Sequence, residues 1–449
     1  MPTQDILHTF ITERSLGAKV TTEEILQQPA LWKTLWQQIS DQRDALEAFM
    51  AAATGGSDYI LFTGAGTSAF IGLSLHGLYF KKTGLISQAV ATTDIVAHPA
   101  DYFDKAHSAF IISFARSGNS PESLAALQLA EAHAKCCYHL IITCDASGAL
   151  AGFKSRGKSY LMTLPKEAND SGLAMTSSYS GMLLTAIMAV HLDKMDTLKR
   201  QIALLSNWVG ELLQNSVDTL ASITRTGYTR AVFLGSGPLY GTATEASLKV
   251  QELTGGRVIC KSDSYLGFRH GPKAILNDET LIVFFLSPEP SVRRYELDLV
   301  RTIITETAVA VSPEQYPKES SLKAPLMHGV FVSEEAVDLP ALLQLTLASS
   351  STGAGELSGR FTCIGGRNKA RGLDKDQEEN KAAGAIDPAF WPVAAIVPGQ
   401  LLGLFSSVAL GVTPDQPSPG GAISRVVQGV TIYKDKTSEI TPLQLKQLK

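Results

Sequence analysis

Four hydroxyls crowd one short stretch of this sequence: Ser113, Ser117, Ser120 and Ser123 within SFARSGNSPES, residues 113–123. A phosphate monoester asks for many oriented donors and little formal charge, which such a run supplies at the start of a helix. Gly118 gives the loop freedom, Pro121 suits a first helical position, Asn119 adds an amide and Arg116 adds one cation. A simple helix cap would need only one of these serines. A second candidate is Gly64-Ala65-Gly66-Thr67-Ser68-Ala69, which follows an apolar run and opens a helical one. It fits the G-x-G-x-x-A pattern of dinucleotide sites, but those sites want a carboxylate ~20 positions further on. Here the first carboxylate after Gly66 is Asp94. Thr67 and Ser68 suit a phosphate group better; the plain alternative is a capped glycine turn.

Proton chemistry has its own candidates. Glu245, Lys249 and Glu252 are spaced by four and three, so a helix places them on one face. Two readings stay open: an exposed ladder of ion pairs, or a carboxylate held beside a lysine as a general base. Ala243, Ala246, Leu248, Val250 and Leu253 on the same helix ask for burial over much of its circumference. His270, in FRHGPK, sits in a Gly-Pro turn where an imidazole could move a proton near neutral pH, or could be an incidental loop histidine.

The elements that must position these residues are short apolar runs alternating with helical stretches. YILFTG (59–64), QAVATT (88–93), AFIISF (109–114), YHLIIT (138–143) and SYLMTL (159–164) read as strands. Their continuous hydrophobicity implies burial on both faces, hence a parallel sheet wrapped by helices. The rhythm restarts with RAVFLG (230–235), GRVICK (256–261), TLIVFFL (280–286), TAVAVS (307–312) and HGVFVS (328–333). The first strand ends in TGAG in one half and LGSG in the other, so the expected class is α/β, two tandem doubly wound five-stranded units. In the second unit the third strand ends in LSPEPSV, without the serine loop. The first unit should therefore bind phosphate and the second should do something else.

The expected organisation is a helical segment at 1–48, units at 49–213 and 214–411, and a tail at 412–449 that closes the active site. Thr21-Thr22-Glu23-Glu24 reads as a helix cap, and Leu31, Leu35, Ile39 and Leu46 as a buried helical stripe. Residues 171–192 and 198–213 read as helices covering the first sheet. A polar segment at about 349–387, rich in glycine, serine and charge, reads as a surface insertion peripheral to the chemistry.

The 449 residues leave room for two or three domains, and 45% hydrophobic with 18% charged residues excludes disordered and coiled-coil chains. A net charge of -4 offers no global positive field for nucleic acid or an anionic membrane. Asp5, Glu13 and Arg14 interrupt the amino terminus before any signal-like apolar core, so a cytoplasmic protein is expected. Five cysteines without metal or disulfide spacing read as reduced, buried thiols.

TGAGTS, SFARSGNSPES, EASLKVQELTGG, FRHGPK and PDQPSPGGAISRVVQGVTIY occur in this order. On these motifs the chain resembles proteins with a double sugar isomerase (SIS) domain. It is similar to the isomerase half of glucosamine-6-phosphate synthase and, more closely, to the AgaS family of galactosamine-6-phosphate deaminase/isomerases, also described as tagatose-6-phosphate ketose/aldose isomerases. The likeness covers about residues 20–345 and 389–433.

The resemblance implies that Thr67, Ser68, Ser117 and Ser120 bind the phosphate, with Arg116 and Asn119 in the same loop and Thr176 and Ser177 near the sugar. It implies Glu252 as the proton-transfer carboxylate, Glu245 and Lys249 as its supporting acid and base, and His270 as the ring-opening histidine reaching in from a neighbouring subunit of a homodimer or larger homo-oligomer. Gln428 stands where the synthase has a lysine, so that role must lapse or pass to Lys249 or His270. The implied reaction converts galactosamine 6-phosphate to tagatose 6-phosphate and ammonia. It calls for no metal or redox cofactor, because a proton beside a masked carbonyl is acidic enough for a placed carboxylate. The alternatives are aldose-ketose isomerisation without loss of nitrogen and a non-catalytic sugar-phosphate-binding regulator.

Overall fold

The computed structural model describes residues 3–311, 328–334, 337–338, 360–365, 384–427 and 429–433. Helices α1 (Thr3–Thr12), α2 (Lys19–Leu26), α3 (Gln28–Asp41) and α4 (Arg43–Gly55) come first, and Leu31, Leu35, Ile39 and Leu46 are buried as their spacing demands. The cap of α2 is not the expected one. Thr21 and Thr22 lie inside the helix, and the open N–H groups of Val20 and Thr21 are met at 3.1 and 2.8 Å by the carboxylate of Asp415. A distant acid thus does what the local threonines were expected to do.

The first sheet is built from β1 (Tyr59–Thr63), α5 (Thr67–Thr83), β2 (Ile86–Ala89), α6 (Thr92–Ala97), β3 (Ser108–Ala115), α7 (Pro121–His133), β4 (Cys136–Thr143) and β5 (Lys158–Thr163). All pairings are parallel, in the order β2-β1-β3-β4-β5. Every residue of β3 is buried, the signature of a central strand covered on both faces. Helices α8 (Ser177–Ala189), α9 (Met195–Asn215) and α10 (Val217–Ile223) follow; α8 is buried along its whole length.

The second sheet repeats the plan with β6 (Arg230–Leu234), α11 (Pro238–Leu253), β7 (Ile259–Asp263), α12 (Tyr265–Phe268), β8 (Thr280–Phe285), α13 (Pro290–Val311), β9 (His328–Val332) and β10 (Phe361–Ile364). Its order, β10-β9-β8-β6-β7, is that of the first sheet read from the other edge, again all parallel.

Several expectations need correction. TAVAVS is no strand: its described residues, 307–311, close α13, whose buried Leu299, Val300, Ile303 and Ile304 show helical spacing. The missing strand is β10, inside the segment read as a featureless insertion, where FTCI pairs with β9 from Phe361 opposite Gly329 to Ile364 opposite Val332. That segment therefore carries a sheet edge; its remaining residues fall largely outside the described ones. Strands two of the two units are displaced to Ile86–Ala89 and Ile259–Asp263. Among the cysteines, all free, Cys137 and Cys144 are buried, Cys260 and Cys363 are half-buried, and Cys136 is exposed.

The last helix among the described residues, α14 (Trp391–Ala409), is long and apolar enough to cross a membrane, yet it is almost wholly buried inside the protein. It packs along α11. A Cβ on Gly399 would stand 2.6 Å from that of Ala246, so only glycine allows the two helices this approach.

Candidate functional site

Helices α5 and α11 start from the same turn in each sheet. Gly66 has φ 56° and ψ -129°, Gly237 φ 55° and ψ -125°, a conformation side chains resist. The two helices then meet across the seam between the units, where Ser74 Oγ donates to the Pro238 carbonyl at 2.7 Å. This brings the loop after β1 against the middle of α11.

A cavity of about 560 Å³ opens there, at the carboxyl ends of the first sheet's strands. One wall holds Gly66, Thr67, Ser68, Ser117, Gly118 and Ser120, the other Lys249 and Glu252, and residues 421–427 roof it. Gly118 turns the serine loop at φ 65°, and its carbonyl accepts from Leu150 N at 3.0 Å. Ser120 occupies the cap position of α7 without spending its side chain on a backbone N–H. Its hydroxyl stays in the cavity, 3.4 Å from that of Ser123. Ser117 Oγ accepts from the Asn119 amide at 3.3 Å. Hydroxyls and the positive end of α7 thus face one space.

On the opposite wall the ion-pair face is buried, which overturns its reading as a solvent ladder. Lys249 Nζ lies 2.6 Å from Glu252 Oε2 and 3.4 Å from Glu245 Oε1. It also donates to Thr67 Oγ1 at 3.1 Å, and Thr67 donates to Glu245 Oε1 at 3.2 Å. Burial pushes Glu245 up to about 8, with Lys249 pulling it back and Glu252 adding to the rise. Burial pulls Lys249 down, but the two carboxylates outweigh it and hold the ammonium above its ordinary value.

Other expected residues are tied up by protein partners or lie off the cavity. Arg116 lines the cavity, but its guanidinium donates to the carbonyls of Gly172 and Leu173, at 3.2 and 3.0 Å, and to that of Arg425. Asn119 is exposed outside the lining, and its Oδ1 accepts from Ala149 N at 3.0 Å. Thr176 and Ser177 are fully buried off the cavity. Asp170 accepts from both their amides and from the Thr176 hydroxyl, while Ser177 Oγ donates to the Glu24 carbonyl at 2.6 Å. The Ser177 hydroxyl thus anchors the start of α8 to the amino-terminal layer, and that of Thr176 to the loop before the helix. His270 is exposed and does not line this cavity. Gln428 lies outside the described residues.

The roof brought in a residue that sequence reasoning passed over. Arg425 lines the cavity, donating from Nε and Nη2 to the Asp170 carbonyl at 2.9 and 2.6 Å and from Nη2 to Asn169 Oδ1 at 2.7 Å. A signal existed: it is the sole charged residue between Asp415 and Lys434. Glu24 was also missed. Its Oε1 accepts from the amides of Ser171 and Gly172, and burial, then Asp170, push it up to about 7 against those amides and Arg116. Among the described residues no group of three or more His, Cys, Asp and Glu is arranged to hold a metal ion.

Paired doubly wound sheets with one hydroxyl-lined cavity at the strand ends define a SIS-domain protein, and residues 56–192 match the SIS domain family. An Escherichia coli D-galactosamine-6-phosphate deaminase AgaS is 35% identical over 422 residues, covering 92% of this chain and 95% of that protein. The crystal structure of an E. coli tagatose-6-phosphate ketose/aldose isomerase matches with a TM-score of 0.70 at 30% identity, over 93% of this chain and 96% of that one. The C-terminal domain of a Francisella tularensis glucosamine-fructose-6-phosphate aminotransferase shares the fold, with a TM-score of 0.63 at 14% identity over 87% and 96% of the two chains. The chain belongs to the AgaS family.

Proposed function

We propose that this protein converts galactosamine 6-phosphate and water to tagatose 6-phosphate and ammonia. The observation that carries the reading is one cavity with the serine loop on one wall and a buried carboxylate-lysine-carboxylate face on the other. In this reading unit 49–213 holds the phosphate through Ser68, Ser117 and Ser120, unit 214–411 supplies the proton chemistry, and the tail from 412 closes the site. Once the ring is open, Glu252 takes the C2 proton and returns it to C1. The enolamine becomes a 2-imine, and water attacks C2 to release ammonia and leave the ketose. Lys249, at 2.6 Å, fixes the Glu252 carboxylate for both transfers.

Ring opening falls to His270, which is exposed on its own subunit and reaches the cavity of a second copy in a homodimer or larger homo-oligomer. A sugar phosphate is an intracellular metabolite, and the work is placed in the cytoplasm. A regulator that only binds would have no use for a buried acid-base face. Incubation with galactosamine, glucosamine and tagatose 6-phosphates in turn, with ammonia assayed, tests the reading. Ammonia from the galacto amino sugar is the expected result; interconversion of tagatose 6-phosphate with its aldose, and no ammonia from either amino sugar, would make the protein a simple isomerase.

A further inference from the structure

We infer that Thr67 is a positioning residue for the acid-base helix rather than a phosphate ligand: its hydroxyl ties Lys249 and Glu245 to the loop after β1. The inference rests on the proposed role of Glu252 as the proton shuttle. A hydroxyl has one proton to give and two lone pairs. The lysine ammonium can only donate, so Thr67 Oγ1 accepts from it at 3.1 Å and gives its own proton to Glu245 Oε1 at 3.2 Å. The ammonium has three N–H groups, and three acceptors surround it: Glu252 Oε2 at 2.6 Å, Thr67 Oγ1 at 3.1 Å and Glu245 Oε1 at 3.4 Å. Two of these belong to α11; only Thr67 comes from the other unit.

Lys249 and Glu245 are wholly buried, so water cannot replace a lost acceptor. Glu252 is the one member of the set with an exposed edge, at 23%. Its aim toward a substrate therefore depends on where the ammonium is held. Thr67 also stands first in α5, next to the Gly66 turn and Ser68, which line the same cavity. The residue that fixes the base is thus part of the loop proposed to meet the phosphate.

The experiment compares Thr67→Val and Thr67→Ser with the wild type, reading solvent deuterium entry at C1 and C2 of each hexose 6-phosphate, steady-state kcat and KM, and competitive inhibition by inorganic phosphate. Valine should lower kcat and exchange by roughly 10- to 100-fold, leave KM and phosphate inhibition within about threefold, and serine should restore most of the rate. A raised KM with weaker phosphate inhibition and unchanged kcat would overturn the inference in favour of a phosphate ligand. Serine as poor as valine would overturn it in favour of methyl packing. If the wild type exchanges deuterium without releasing ammonia, the deaminase reading falls and the Thr67 comparison still decides. If it exchanges with no hexose 6-phosphate, both fall.

Discussion

The two sheets share strand order, parallel register and the glycine turn that opens their first helix, yet their third strands end differently. After β3 the chain leaves hydroxyls facing open space. After β8 the same place is filled from within: Glu296 is fully buried, and its Oε2 accepts from the Ser287 amide at 2.8 Å. Burial pushes that carboxyl up to about 7, against the Ser287 amide and the Ser236 hydroxyl of the LGSG turn. An internal carboxylate takes the amide that an external anion could have used. Topology provides the strand ends, and side chains decide whether they stay vacant for a ligand.

The largest expected effect lies on the second unit's contribution to the cavity. Glu252→Gln keeps shape and hydrogen bonding but removes the base, so kcat should fall by ~10² to 10⁴ with little change in KM. Steady-state kinetics with near-normal turnover would remove α11 from the chemistry and leave the second unit without a distinct task. Next come Ser117→Ala and Ser120→Ala in the first unit. Each should cost about 1.5 to 3 kcal/mol of binding to a charged group, read as a KM raised roughly 10- to 150-fold. Unchanged KM in both folded variants would mean that the phosphate binds elsewhere.

The mirror experiment in the second unit is Glu296→Ala. It should leave KM alone but lower unfolding free energy by about 1 to 3 kcal/mol through the unmet Ser287 amide, measured by denaturant titration. A variant that instead gained affinity for inorganic phosphate would reveal a latent second cradle. The smallest effect, read per unit of pH, concerns Glu24. Its folded pKa lies above the ordinary 4.5, so the folded state holds the proton more tightly and the group's stabilising contribution, full below 4.5, is lost as pH rises toward about 7. Glu24→Gln should flatten that decline, by at most about 1.4 kcal/mol per pH unit, in melts compared across pH 4.5 to 7.5. Identical wild-type and variant slopes would show that Glu24 does not titrate in this window.

Much of this was legible. Continuous apolar runs such as AFIISF can hardly be anything but central strands, and Glu245, Lys249 and Glu252 had to share a face once the helix was granted. What sequence hid was tertiary. The run TAVAVS is too short to separate a strand from the end of a long helix, and FTCI is an edge strand framed by glycine and charge. Thr176, Ser177 and Arg116 are of the right type for a ligand, but Asp170 and four backbone carbonyls use them up. Residue type does not say which acceptor a donor will meet. Arg425 and Asp415 work on partners hundreds of positions away, beyond the reach of any local pattern.

The seating of α14 on α11 carries a consequence for synthesis. Trp391 begins 138 positions after Leu253, the last residue of α11. At ~5 to 20 residues per second a ribosome needs roughly 7 to 28 seconds to cover that distance. During that interval Ala246 and Leu253, both buried in the finished protein against the glycines of α14, have no α14 to lie against. The newborn chain therefore presents a sticky flank beside Lys249 and Glu252 until α14 emerges, and a holding chaperone that recognises apolar helix surfaces would find its longest opportunity there.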